Sequence, residues 1–343
     1  MSTPAPRPAR LENEAELIEY MTRPSAAVSE AVQTLDGDIL ILGVGGKMGP
    51  SLAELLVRAG ARRVIGVARF SDPSVRAYLD GVGVETVPAD LLADGGLEAL
   101  PDAPYVYHLA GFKFGATGNE SLTWAMNTLL PPRVVERYRD SRIVYVSSGN
   151  VYAFTPVTGR GAAEDGEVGP IGEYAQSRLG GERLAEYAAA NCGARLLISR
   201  LFYATEMRYG IIHDIGWRVW QGEPIDLSMG HVNQIWQGDA NACLARSFPL
   251  CEQPPVAMNL TGTEVLSVRA LAEQMGRELE REPRFVGSES DTALLGDAGA
   301  LVESLGEPDT PIGEVVAWMA HWIRVGGRSL GKPTKYESRA GKF

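Results

Sequence analysis

The stretch Asp38-Ile-Leu-Ile-Leu-Gly43-Val-Gly45-Gly46-Lys47-Met48-Gly49-Pro50 decides the fold. It opens with an uninterrupted apolar run, as expected of a strand buried within a parallel sheet. The glycines after it permit a tight turn into a helix. Pro50 falls near the start of that helix and Gly60 just past its end, the usual asymmetry of helix termini. In this strand–turn–helix setting, Gly43, Gly46 and Gly49 let backbone N–H groups approach a pyrophosphate at the helix N-terminus. A glycine pattern alone is weak, and a turn that holds nothing is the plain alternative; the flanking strand and helix strengthen the case.

Outward from this stretch, apolar runs alternate with helical patterns, as in a parallel sheet covered by helices. Strands are expected at Asp38–Gly43, Arg63–Ala68, Val84–Val87, Tyr105–Ala110, Arg142–Ser148 and Arg195–Phe202. Helices are expected near Met48–Ala59, Pro73–Asp80, Leu122–Arg139 and Glu173–Asn191. Beyond Phe202 the order loosens into short strands, then helices near Ala240–Ser247, Val268–Glu280 and Gly313–Arg324. The fold class is therefore α/β: a Rossmann doubly wound parallel sheet with a smaller C-terminal α/β substrate domain. The expected divisions are an N-terminal extension 1–35, a core 36–205, a substrate-binding part 206–325 interleaved with the core, and a basic tail 326–343. Residues 1–10 are proline-rich and read as disordered; Leu11 to Leu35 reads as one or two short helices interrupted at Pro24.

A chain of 343 residues, 45% hydrophobic and 22% charged, can bury a sizeable core. Its net charge of −11 argues against nucleic-acid binding, which needs clustered cations. No apolar run reaches the ~18–20 residues of a membrane span, and the N-terminus lacks the apolar centre of a signal peptide. Cys192, Cys243 and Cys251 are odd in number and without CxxC spacing, which suggests reduced thiols and a cytoplasmic address. The charge reverses at the end of the chain, where Arg324 to Phe343 holds six cations and one acid, Glu337. A solvated tail is the plainer reading; a strap across a phosphate- or carboxylate-bearing ligand is the sharper one.

Four further segments follow the glycine loop in order. They are Pro88-Ala-Asp90-Leu91, His108-Leu109-Ala110-Gly111-Phe-Lys113, Val144-Tyr-Val-Ser147-Ser148-Gly-Asn150-Val-Tyr152 and Gly172-Glu-Tyr174-Ala-Gln-Ser-Arg178. Together they make the chain, over roughly residues 38–325, resemble the extended short-chain dehydrogenase/reductases, the NAD-dependent epimerase/dehydratase family. It also resembles a bacterial branch of that family, through Gly45-Gly-Lys-Met-Gly49, Ile235-Trp-Gln-Gly-Asp239-Ala-Asn and Gly331-Lys-Pro-Thr.

The resemblance implies that the loop Gly43, Gly45, Gly46, Lys47, Met48 and Gly49 holds the pyrophosphate of a dinucleotide. Asp90 and Leu91 border its adenine, and Leu109, Ala110 and Gly111 line its path. Lys113 and Ser147 flank the cofactor, Ser148 positions the substrate oxygen, and Tyr174 is the acid/base. Asn127 matches a structural asparagine of the long core helix. The implied activity is an NAD(P)-dependent epimerase or carbonyl reductase/dehydrogenase acting on a sugar, nucleotide sugar or sugar-like polyol, in a homodimer paired through the two long helices. The end of the second strand, Ile65-Gly-Val-Ala-Arg69-Phe, has no acid for a ribose 2′-hydroxyl, so Arg69, with Lys47, points to NADP, NAD remaining possible.

The chain departs from the family in three places. Tyr174 and Arg178 are four apart and share a helix face, but the family pair is Tyr-x-x-x-Lys. Arginine keeps the charge and donors that bind ribose and support the tyrosine, yet is a poor proton relay. Gly149 and Asn150 stand where sugar 4,6-dehydratases carry Asp-Glu, so that dehydration is excluded. After the sixth strand, Arg200-Leu-Phe-Tyr203-Ala-Thr-Glu206-Met-Arg208 lacks the family asparagine. Arg178 and this missing asparagine leave a second class open, a dinucleotide-binding scaffold that lost turnover.

Asn150, Tyr203 and Arg208 are candidate substrate contacts. For His213, Arg218, Asn233 and Trp236, packing is the plainer role. Asp239 is expected to cap the helix after it, and His108 to be a hydrogen-bonded core residue. The four histidines show no metal-ligand spacing, so no metal is expected.

Overall fold

A computed structural model describes residues 7–113 and 115–341. Seven strands form the main sheet: β1 Ile39–Leu42, β2 Val64–Ala68, β3 Glu85–Pro88, β4 Tyr105–His108, β5 Arg142–Ser148, β6 Arg195–Leu201 and β7 Val256–Leu260. All are parallel, in the order β7-β6-β5-β4-β1-β2-β3. Ile39 lies opposite Val64 on one side and Tyr105 on the other. Successive strand residues face opposite ways. Ile39 and Ile41 accordingly enter one apolar cluster with Leu52 and Leu56, while Leu40 and Leu42 enter another with Val106 and Leu130. Each such side chain contributes about 1.5–3 kcal/mol by leaving water. This two-faced burial is what makes the sheet doubly wound.

The helices are α1 Glu14–Met21, α2 Ala26–Gln33, α3 Gly49–Arg58, α4 Pro73–Gly81, α5 Glu120–Trp124, α6 Leu130–Arg137, α7 Gly172–Cys192, α8 Ile211–Gln221, α9 Gln237–Ala245, α10 Val268–Leu279, α11 Gly299–Leu305 and α12 Ile312–Arg324. The six expected strands appear within two residues of their anticipated ends. β7, α8 and α11 were not anticipated. α1 and α2 begin at the side-chain caps Asn13 and Ser25, on either side of the break at Pro24.

The helix expected over Leu122–Arg139 is divided. A π-turn, Ala125–Leu129, joins α5 to α6. Pro131 is the reason: it has no N–H for the carbonyl four residues earlier, and its ring crowds that carbonyl. The displaced Asn127 carbonyl accepts instead from the Tyr145 hydroxyl at 3.5 Å. α7 packs directly over the turn, and a Cβ on Gly181 would fall 1.9 Å from the Asn127 oxygen.

Both ends of the described chain are tied down. Disorder was expected of residues 1–10; residues 1–6 lie outside those described, but Arg7 donates to the Asp309 carbonyl at 2.7 Å and Trp318 donates to that of Pro8 at 2.9 Å. The basic tail packs onto the body as a strap, while Arg324, Arg328, Lys332 and Lys335 remain exposed along it. The Thr334 N–H and hydroxyl donate to Asp214 at 2.7 and 2.6 Å, Tyr336 is buried, and Arg339 donates to the Thr292 carbonyl at 2.8 Å. Lys342 lies outside the described residues.

Candidate active site

The glycine loop follows β1 because nothing larger fits. Gly43 has φ +87°, and a Cβ there would lie 2.6 Å from the Ala110 nitrogen; on Gly49 it would lie 2.1 Å from the Val44 carbonyl oxygen. The turn ends at the N-terminus of α3, where no side chain caps the first N–H groups. Those donors suit an anion. Two cavities of about 710 and 390 Å³ meet at Gly43, Gly45 and Gly46, within the range of small-molecule sites. Their size and these free donors are compatible with a dinucleotide: Arg69, Asp90, Leu91 and Ala110 line the smaller cavity, and Leu109 and Gly111 border both.

The larger cavity gathers Ser147 and Ser148 from the end of β5, Tyr174 and Arg178 from α7, and Lys47, Met48 and Lys113 from loops. Tyr203 and Arg208 come from the chain after β6, and Arg328, Leu330, Lys332 and Thr334 from the strap. Ser148 is 4% exposed and Tyr174 9%. The Ser148 hydroxyl donates to Asn150 Oδ1 at 3.0 Å and accepts from the Asn150 N–H at 3.2 Å, which fixes its direction. The ammonium of Lys113 lies 5.6 Å from the centre of the Tyr174 ring. Burial pushes the Tyr203 and Tyr209 phenols up from their ordinary value, so both stay neutral.

Arg178 is 4% exposed and heavily engaged. It donates to the Val146 carbonyl and, at 3.5 Å, to Asn127 Oδ1, and it lies 5.1 Å from the Tyr145 ring centre. A Cβ on Gly111 would fall 2.7 Å from its Nη1. Asn127 also clamps Phe112 through its N–H and carbonyl, at 2.8 and 2.9 Å, the structural part expected of it. Behind the cavity, the Glu182 carboxylate of α7 receives Arg200 at 2.8 Å and the Ser147 hydroxyl, while Arg200 also meets the Tyr152 hydroxyl at 2.6 Å. Burial opposes the Arg200 charge, but Glu182 outweighs it and raises the pKa.

Several expectations change. Lys47 does not stand beside Arg69 on the smaller cavity: it borders the larger cavity, and its ammonium donates to the Ala204 carbonyl. Asn150 lines a separate cavity of about 20 Å³ with Tyr152 and Phe154. Arg208 reaches the cavity wall already paired with Glu14 at 2.8 Å and Glu206 at 3.1 Å. Asp239 sits in the first turn of α9, not at its cap, and accepts from Thr310 N–H and hydroxyl at 2.9 and 3.1 Å. His108 is buried, but neither ring nitrogen has a hydrogen-bond partner; burial, then Arg178, lowers it to about 3, leaving a neutral ring stacked on Tyr145.

His213, Arg218, Asn233 and Trp236 make internal contacts, with Asp214, Glu337, Glu264 and Trp318 respectively. Sequence reasoning did not foresee Tyr209, nor Glu14, Ile18 and Met21 of α1, on the cavity wall. The basic tail was the one signal for the strap. Among the described residues no group of His, Cys, Asp and Glu is arranged to hold a metal, and no helix is long and apolar enough to cross a membrane.

The fold is shared with solved enzymes. A UDP-glucuronic acid 4-epimerase from Bacillus cereus, in complex with NAD, aligns with TM-score 0.70 at 17% identity, over 84% of this chain and 96% of that one. A dTDP-glucose 4,6-dehydratase from Streptomyces venezuelae gives 0.69 at 18%, over 84% and 97%. A UDP-galactose 4-epimerase gives 0.66 at 20%, over 84% and 98%. No curated protein sequence matches the chain. Residues 39–205 match the profile of the NAD dependent epimerase/dehydratase family, a segment that contains the glycine loop, both serines and the tyrosine helix. Over that segment the chain resembles the family, and it shares its fold with these solved enzymes.

Proposed function

We propose that the protein is an NAD(P)-dependent epimerase or carbonyl reductase/dehydrogenase of a hydroxyl or keto group on a sugar, nucleotide sugar or sugar-like polyol. The observation that carries this reading is the placement of Tyr174 and Ser148, from two different elements, on one cavity continuous with the glycine cradle. The nicotinamide, when bound, exchanges hydride with the substrate carbon. Tyr174 gives or takes the proton on the substrate oxygen. Ser148 orients that oxygen, its own direction set by Asn150. Lys113 and Arg178 stabilise the charge that develops on the phenol as its proton leaves. Arg69, exposed at the end of β2 on the adenine-side cavity, favours NADP over NAD.

To test the reading, protein loaded with NAD or NADP is incubated with neutral and nucleotide-linked sugars. Reduced-nicotinamide absorbance reports net oxidation or reduction, and proton NMR of the sugar reports inversion. At least one sugar is expected to be converted with a preference for NADP; no conversion of any with either cofactor would count against the proposal.

The protein is also proposed to pair with a second copy through α5, α6 and α7. Leu122, Trp124 and Leu129 are exposed on the first run of helix, Leu184 and Tyr187 on α7. Such a patch favours burial against a like surface. Light scattering should give twice the 36.9 kDa chain mass for the wild type, and one chain mass for the double variant Leu129→Glu, Tyr187→Glu. A wild-type monomer would remove the dimer.

A further inference from the structure

α7 carries Tyr174 in its first turn, and that turn starts without a side-chain cap. Ile171 precedes it in an extended conformation and offers no side-chain oxygen to the first N–H groups. α1, α2, α4 and α10, in contrast, are capped by the side chains of Asn13, Ser25, Asp72 and Ser267. Where the start of α7 stands therefore depends on what packs against it. On one flank the Trp124 indole donates to Glu173 at 2.5 Å.

Against the backbone itself lies the end of the strap. A Cβ on Gly172 would fall 2.2 Å from the Gly341 carbonyl oxygen, and one on Gly341 would fall 2.0 Å from that of Ile171. Both glycines have positive φ, +81° and +64°, so the conformation as well as the closeness excludes larger residues. The strap end is in turn fixed to the C-terminal part of the chain. Arg339 donates to the Thr292 carbonyl and hydroxyl, both at 2.8 Å, and to the Ser228 carbonyl at 3.3 Å. Its guanidinium lies 4.3 Å from the centre of the Phe154 ring. Two residues earlier, Glu337 accepts from Arg218 of α8 at 2.6 Å. A segment held this firmly constrains the backbone it touches, and Gly172 is only two residues from Tyr174. Moving a reacting group by ~1 Å can cost ~10²-fold in rate.

We propose that the strap end, Arg339 to Gly341, is a positioning element for Tyr174: it ties the C-terminal part of the chain to the start of α7 and so sets where the phenol stands. The inference rests on the proposed function only for the role of Tyr174.

Two variants test it: a chain lacking residues 341–343, and Gly341→Val, which keeps the length but forces the collision with Ile171. Each is expected to lower kcat on the sugar panel with NADP by ~10–100-fold, with KM and the thermal midpoint nearly unchanged. Amide hydrogen exchange at residues 175–179, one turn into α7, should speed up by at least ~10-fold, while residues 185–192 keep their protection. Arg339→Ala, which frees the strap without altering the contact, should act in the same direction and gives a further arm if either variant is unfolded. Unchanged exchange at 175–179 overturns the proposal, as does wild-type kcat in a variant whose α7 start has loosened. A rise in KM as large as the fall in kcat also overturns it, since the strap end would then be part of the binding wall. A wild type that converts no sugar would sink the catalytic reading instead, and the exchange would still decide whether the strap holds α7.

Discussion

Tyr174→Phe is expected to lower kcat by about 10²–10⁴-fold, the usual worth of a positioned acid/base. The substitution removes one hydroxyl and leaves the ring beside Lys113 on α7. Substrate and cofactor affinities should therefore change little, and the thermal midpoint should hold. Tyr203 and Tyr209 make poor replacement bases, since burial raises both phenols, and His108, lowered to about 3, is a weak one. The measurement is steady-state kinetics on any substrate found in the sugar panel, with cofactor binding followed separately. A variant that keeps wild-type kcat would remove Tyr174 from the chemistry.

Glu182→Ala is expected to destabilise the fold by about 3–5 kcal/mol, the range for breaking a buried pair and stranding its partner. Arg200 is 4% exposed at its side chain and Glu182 0%. Without the carboxylate, the guanidinium keeps only the Tyr152 hydroxyl and the Glu164 carbonyl. Glu182 also receives Ser147 at the end of β5, so the same pair fixes how α7 is turned as it presents Tyr174 two turns earlier. Urea unfolding measures the loss. The double variant Glu182→Leu, Arg200→Met should recover much of it, since an apolar pair of similar volume avoids the desolvation cost. A loss below about 1 kcal/mol would mean that the pair is not what orders this corner.

The parts that were legible in the sequence are those written in local pattern. The apolar run of β1 and the glycines after it depend on neighbours a few residues away, and six strands follow from the same rule. β7 was missed because Val256-Ala-Met-Asn-Leu260 carries Asn259 one residue from its end; that asparagine can be buried because Tyr152, Ala162 and Asp297, all far away in the chain, bond to its side chain. The π-turn was written in Pro131, but only as an interruption of a pattern that otherwise reads as continuous helix. Lys47 shows the limit most clearly. Its backbone position was evident from the glycines, whereas its direction is set by Ala204 and Tyr209, more than 150 residues later. Glu182 likewise gives no local sign, since its partner sits 18 residues on, in a strand.

The cavity wall formed by α1 and by residues 328–334 has a consequence for biosynthesis. On the ribosome the glycine loop emerges long before Arg328, and at ~5–20 residues per second the interval is roughly 15–60 s. During that interval β2 to β7 emerge in turn and the sheet can close around the loop, while the part of the cavity wall supplied by residues 328–334 is still missing. The larger cavity is thus complete only once residues 328–334 have joined its wall.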